Sequence, residues 1–221
     1  MTASIAGSWA LVLLLCMTWS GLARAASAGA EAAILILGDS LSAGYGIALE
    51  DAWPNLLGAR LAQEGYPYRV VNASISGETT AGGARRIAKL ITEHAPAIVV
   101  VALGANDGLR GIKPAEVRRN LDTMLSAIDA AQAVPVLLQV RIPPNYGPQY
   151  TAAFEGVYGQ FFERKGVLAG PFLLEGFATD TSAFQVDGLH PLATMEPKIL
   201  TTLWPTIAIA IDAAKQRNKS P

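Results

Sequence analysis

Cysteine and histidine are almost missing from this 221-residue chain, which has one of the first and two of the second. A single cysteine excludes an intramolecular disulfide framework and any cysteine-rich zinc or iron–sulfur site. Two histidines leave few candidates for a general base near neutral pH. Charge is also scarce. Asp, Glu, Lys and Arg make up 16% of the chain, against a typical ~25%. With 17 basic and 18 acidic side chains and a formal net charge of -1, there is no basic field to attract nucleic acid. The apolar share, 51%, excludes a disordered or polyelectrolyte protein.

Ala10 to Trp19 reads ALVLLLCMTW, nine apolar residues in ten, which is short of the ~20 that cross a bilayer. Ala23-Arg24-Ala25 follows as an A-x-A-like cleavage signature, so residues 1–26 are expected to be an export signal. Its n-region is atypical, since Met1 to Trp9 has no Lys or Arg. The other reading is an uncleaved membrane anchor. A lipoprotein signal is disfavoured because Leu15, not a small residue, precedes Cys16. Cleavage removes the only cysteine, which suits an oxidising compartment. Residues 27–221 are expected to be one domain without a stable membrane span.

Beyond the signal, apolar runs alternate with amphipathic stretches. Ala33 to Leu37, Arg69 to Asn72, Ala97 to Leu103, Val134 to Val140 and a weaker Val167 to Leu174 read as strands, several of them apolar throughout as in a parallel sheet buried on both faces. Trp53 to Gln63, Ala81 to Glu93, Pro114 to Ala133, Gln149 to Lys165 and Met195 to Lys215 carry apolar residues at helical spacing. Five alternations predict an open, doubly wound α/β sheet with helices on both faces. The polar tail from Lys215 to Pro221 is expected to fray.

In such a fold, function gathers beyond the carboxyl ends of the strands. The first run is followed by Gly38-Asp39-Ser40-Leu41-Ser42. Ser40 reads either as a nucleophile at a strand-to-helix turn or as part of an ordinary helix cap. Gly77, after the second strand, permits close backbone approach to a ligand, or simply makes a turn. Asn106, after the third, offers an amide donor or an Asx-turn. Asp187-Gly188-Leu189-His190-Pro191 precedes the last helix, and the three-residue spacing lets the carboxylate orient the imidazole. A structural histidine is the alternative. His94 ends a helix at the opposite edge of the sheet, where a solvated cation near a helix C-terminus accounts for it. Ser40, His190 and Asp187 would thus supply nucleophile, base and orienting group. The N–H groups of Ser40 and Gly77 and the side chain of Asn106 would supply oxyanion donors. Two distant histidines build no typical zinc site, and neither a metal nor a cofactor is expected.

GDSLS, SISGETT, GANDGLRG and DGLHP resemble the four blocks of the GDSL or SGNH hydrolase family, with Ser40, Gly77, Asn106 and His190 as the four letters in order. The likeness runs from about Ile34 to Trp204. The phrases LGDSLSAGYG, VVNASISGET and RIPPNYG resemble a periplasmic branch of thioesterases, lysophospholipases and arylesterases. The resemblance implies a flavodoxin-like three-layer α/β/α sandwich with a five-stranded parallel sheet. It implies hydrolysis of acyl-CoA, aryl esters or lysophospholipids through an acyl-enzyme, and a Gram-negative periplasmic or secreted location. The expected partner is a small acyl ester or thioester, and the expected state a monomer. Relatives in this branch often carry a polar residue after the His-Pro pair, where this chain has Leu192, with Thr194 and Glu196 beyond, and Gly46 to Glu50 is a segment that varies between them. Leu109, Ile112, Ile142, Pro143 and Tyr146 follow strands three and four and are candidate walls of an acyl groove. A carbohydrate O-deacetylase and a non-catalytic periplasmic binding protein are the alternative readings.

Overall fold

Five strands, β1 (Ala32–Gly38), β2 (Tyr68–Asn72), β3 (Pro96–Ala102), β4 (Val134–Leu138) and β5 (Leu168–Gly170), pair in the order β2-β1-β3-β4-β5 in the computed structural model. Every pairing is parallel. The structure describes residues 31–217. The expected export signal with Cys16 and Arg24 lies outside them, as does the end of the tail, 218–221. The expected α/β/α sandwich is present, and residues from Ala32 onward form one compact unit.

Both faces of the sheet are covered because the strands are apolar on both. Ile34 and Ile36 pack with Trp53, Leu57 and Leu61 of α2 (Trp53–Gln63) and with Ile199, Leu203 and Ile207 of α7 (Glu196–Arg217). Leu35 and Leu37 face the other way, onto α3 (Thr80–His94), α5 (Pro114–Ala130) and α6 (Pro148–Phe162). That alternation is the two-residue period of a strand. Fully burying each such side chain stabilises the fold by ~1.5–3 kcal/mol.

The weaker fifth strand is shorter than Val167 to Leu174. Pro171 has no N–H to extend the ladder, so β5 ends at Gly170, and β4 stops opposite it at Leu138. α5 stops at Ala130, short of Ala133, because Gln132 turns into the left-handed region (φ 60°). α6 ends at Phe162, short of Lys165, ahead of Gly166 at φ 90°. The tail does not fray at Lys215. α7 continues through Arg217, whose guanidinium donates to Ala133 O at 2.7 Å.

Candidate active site

The strand order reverses direction between β1 and β3, and the crevice at such a switch point lies beyond their carboxyl ends. Ser40 follows β1 there as the first residue of the four-residue helix α1 (Ser40–Ala43). Asp39 caps that helix by accepting from Leu41 N at 3.1 Å. The cap and the serine are therefore neighbours with separate tasks, and Ser40 Oγ stays free to face the crevice.

Ser40 Oγ lies 2.8 Å from His190 Nε2, and His190 Nδ1 lies 2.7 Å from Asp187 Oδ2. Asp187 Oδ1 also accepts the backbone N–H groups of Leu189 and His190, at 2.9 and 3.0 Å. The DGLH segment is thus an Asx-like turn that closes carboxylate onto imidazole within three residues. The His190 side chain, and then these two backbone N–H groups, hold the Asp187 carboxyl down to about 2. An ionised carboxylate only accepts, so the ring proton belongs on Nδ1 and the Nε2 lone pair faces the serine hydroxyl.

Gly77 adopts φ 79°, where a side chain would be strained, and its carbonyl accepts from Arg110 Nη2 at 3.1 Å. Among the described residues no protein group accepts the Gly77 N–H. Asn106 sits in α4 (Ala105–Leu109), a short helix that the sequence did not signal. Its Nδ2 donates to Asp39 Oδ2 over a long 3.4 Å, leaving a second amide hydrogen for a ligand. Burial, opposed by the Leu41 N–H, raises the Asp39 carboxyl to about 6.

Ser40, Gly77, Asn106 and His190 line one cavity of about 700 Å³. Of the candidate groove residues, Leu109, Ile142 and Pro143 also line it. Ile112 and Tyr146 do not. Ile112 packs against the α5–α6 side of the core, and its carbonyl accepts from Tyr150 Oη at 2.7 Å. Tyr146 is turned so that its hydroxyl donates to Leu109 O at 2.9 Å. His94 ends α3 away from the crevice, its carbonyl accepting from Arg69 at 3.2 Å.

Several lining residues gave no sequence signal. Tyr45 places its ring 4.4 Å from that of His190, and its carbonyl accepts from Gln185 Nε2 at 2.8 Å. The segment around Tyr45 is thereby held to the loop that carries the histidine. Phe172, Leu174, Phe184 and Leu189 form a second apolar wall, with Arg141 at its side. Among the described residues, no group of three or more His, Cys, Asp or Glu side chains is gathered as a metal ion would need.

Residues 36–195 match the GDSL-like lipase/acylhydrolase family. The esterase TesA of Pseudomonas aeruginosa is 47% identical over 174 residues, 79% of this chain and 87% of that protein. The thioesterase 1/protease 1/lysophospholipase L1 of Escherichia coli is 41% identical over 172 residues, 78% of this chain and 81% of that protein. The crystal structure of a psychrotrophic esterase, EstA, from a Pseudoalteromonas species, inhibited by monoethylphosphonate, superposes with a TM-score of 0.78. It has 37% identity and covers 81% of this chain and 98% of that one. With this match over residues 36–195, and with the loops of Ser40, Gly77, Asn106 and His190 around one crevice, the chain belongs to the GDSL-like lipase/acylhydrolase family.

Proposed function

We propose that the protein is a serine esterase and thioesterase that hydrolyses carboxylic esters and acyl thioesters through an acyl-enzyme on Ser40. The observation that carries this is the Ser40–His190–Asp187 relay, with 2.8 and 2.7 Å links, opening on a largely apolar cavity. The names of the relatives, an esterase and a thioesterase that is also a lysophospholipase, support ester and thioester substrates.

Ser40 Oγ bonds to the acyl carbon while its proton passes to His190 Nε2. The ionised Asp187 steadies the resulting imidazolium. The N–H groups of Ser40 and Gly77 and the Asn106 amide receive the oxyanion. The C–S or C–O bond then breaks, and the thiol or alcohol leaves with the proton from Nε2. Water, deprotonated by Nε2, attacks the acyl-enzyme and releases the acid and free Ser40. Residues 1–26 are read as a cleaved export signal, which puts the hydrolase domain, 27–221, in the periplasm or outside the cell. The support is the apolar run Ala10 to Trp19 with Ala23-Arg24-Ala25. In the described part no helix is long and apolar enough to cross a membrane.

The test is a panel of acyl-CoAs, aryl esters, lysophospholipids and acetylated sugars on the exported protein, with Ser40→Ala as the blank and the intact mass recorded. Hydrolysis of aryl esters and thioesters, abolished in Ser40→Ala, is expected from a protein lacking residues 1–26. Full turnover by Ser40→Ala would overturn the nucleophile, and activity confined to sugar acetates would overturn the substrate class.

A further inference from the structure

The two loops that bring Gly77 and Asn106 to the crevice are tied together beneath it, away from any substrate. Asp107, the residue after Asn106, is 1% exposed, and Thr80, three residues after Gly77, is wholly buried. The Thr80 hydroxyl donates to Asp107 Oδ1 at 2.6 Å, and Thr80 N donates to Asp107 Oδ2 at 2.8 Å. Asn120 of α5 donates its Nδ2 hydrogen to Thr80 Oγ1 at 3.0 Å. The hydroxyl is thus satisfied as donor and as acceptor, and both carboxylate oxygens are engaged.

We infer that Thr80 is a positioning residue for the oxyanion donors, its hydroxyl locking the Asn106 segment to the Gly77 loop through Asp107. The inference rests on the acyl-enzyme reading of this site. Helix capping alone does not explain the contact, because α3 already has a cap. Thr79 accepts from Gly82 N at 3.4 Å. What Asp107 adds is a link between two separate loops, each holding one donor. Among the described residues the only other hydrogen bond between these loops, Arg110 Nη2 to Gly77 O at 3.1 Å, is exposed to water and correspondingly weak. Burial makes the Thr80–Asp107 link the stiffer of the two, since hydrogen bonds in a low local dielectric are stronger and leaving one unmade is costly. Oxyanion donors act by being fixed before charge develops, and a displacement near 1 Å can cost ~10²-fold in rate.

Thr80→Val keeps the shape and backbone N–H but removes the hydroxyl. Steady-state hydrolysis of an aryl ester is measured per serine titrated with a fluorophosphonate, so that misfolded protein is not counted. Thr80→Val is expected to lower kcat by about 10–100-fold with little change in KM, and Thr80→Ser to restore most of it. Asn120→Ala, which removes only the donor to the hydroxyl, is expected to give a smaller fall in kcat and covers the case in which Thr80→Val does not fold. Unchanged kcat per titrated serine in both variants, or a loss that Thr80→Ser does not rescue, would overturn the inference. Failure of the wild-type protein to hydrolyse any ester would instead overturn the acyl-enzyme reading itself.

Discussion

Asn106 shares its amide between the crevice and the buried Asp39, and the 3.4 Å length of that bond makes it a weak structural tie. Its side chain therefore contributes little to stability, and in the proposed mechanism it contributes much to a developing oxyanion. Asn106→Ala is expected to lower kcat on an aryl ester by ~10²–10³, with the thermal unfolding midpoint nearly unchanged. Near wild-type turnover would remove Asn106 from the donor set. Residues of this kind were legible because their chemistry is local. Asp187 and His190 are three apart and close their own turn, and Gly77 is the residue type that can take the positive φ found there. Asp39 and Tyr45 were not legible as parts of the site. Nothing beside Asp39 in the sequence reveals that its carboxyl is 2% exposed, and Tyr45 meets His190 only after 145 residues of chain have folded.

Helix α2 begins without a side-chain cap of its own, since its N-cap is Ala52. The first residue of α7 supplies one across the fold, as Glu196 Oε2 accepts from Trp53 N at 2.8 Å. Glu196 is 2% exposed, and burial, opposed by the Trp53 N–H, raises its carboxyl from 4.5 to about 7. A folded pKa above the unfolded one means the folded state holds the proton more tightly. The stability this brings is complete below pH 4.5 and is lost as pH rises through about 7. Glu196→Gln keeps an oxygen for Trp53 N and never ionises. It is expected to unfold at a higher temperature than wild type above pH 7, by the equivalent of ~1–3 kcal/mol, with the two curves converging near pH 4.5. Asp39, raised to about 6 for the same reason, is present in both proteins and gives both a shared decline. Parallel curves across the whole range would refute the role of Glu196. The interiors of the five strands and of α2, α3, α5, α6 and α7 were readable from period and composition, and the sequence expectation for α2, Trp53 to Gln63, has the observed bounds. The ends were set by single residues that block the next hydrogen bond, Pro171 after β5 and the left-handed Gln132 after α5. In the sequence Glu196 stands out only as a polar residue beyond Leu192, flanking the histidine loop. Its actual partner, 143 residues earlier in the chain, is visible only in the fold.

The whole molecule builds the cavity beside Ser40 from two walls of different origin. One wall, with Leu109, Ile142 and Pro143, follows β3 and β4 and was legible because loops at those strand ends must border the crevice. The other, with Phe172, Leu174, Phe184 and Leu189, comes from the long segment between β5 and His190, which has no period to read. Its shape is fixed by packing, through the antiparallel bridge between Phe184 and Pro191 and the Phe177–Phe184 ring contact at 5.9 Å. An acyl chain lying between the walls gains ~0.8 kcal/mol per buried methylene, about fourfold in kcat/KM for each carbon added. Leu109→Ala and Phe172→Ala each strip apolar surface from one wall. Each is expected to flatten the rise of log kcat/KM with chain length across p-nitrophenyl esters from acetate to long acyl groups, while acetate itself changes little. Tyr146→Phe trims only the hydroxyl that donates to Leu109 O and lies outside the cavity lining, so its slope should match wild type. A flattened slope in Leu109→Ala alone would place the chain along the β3–β4 side, and in Phe172→Ala alone along the β5 side. Slopes unchanged in both would mean that the acyl group does not lie in this cavity, even with Ser40 as the nucleophile.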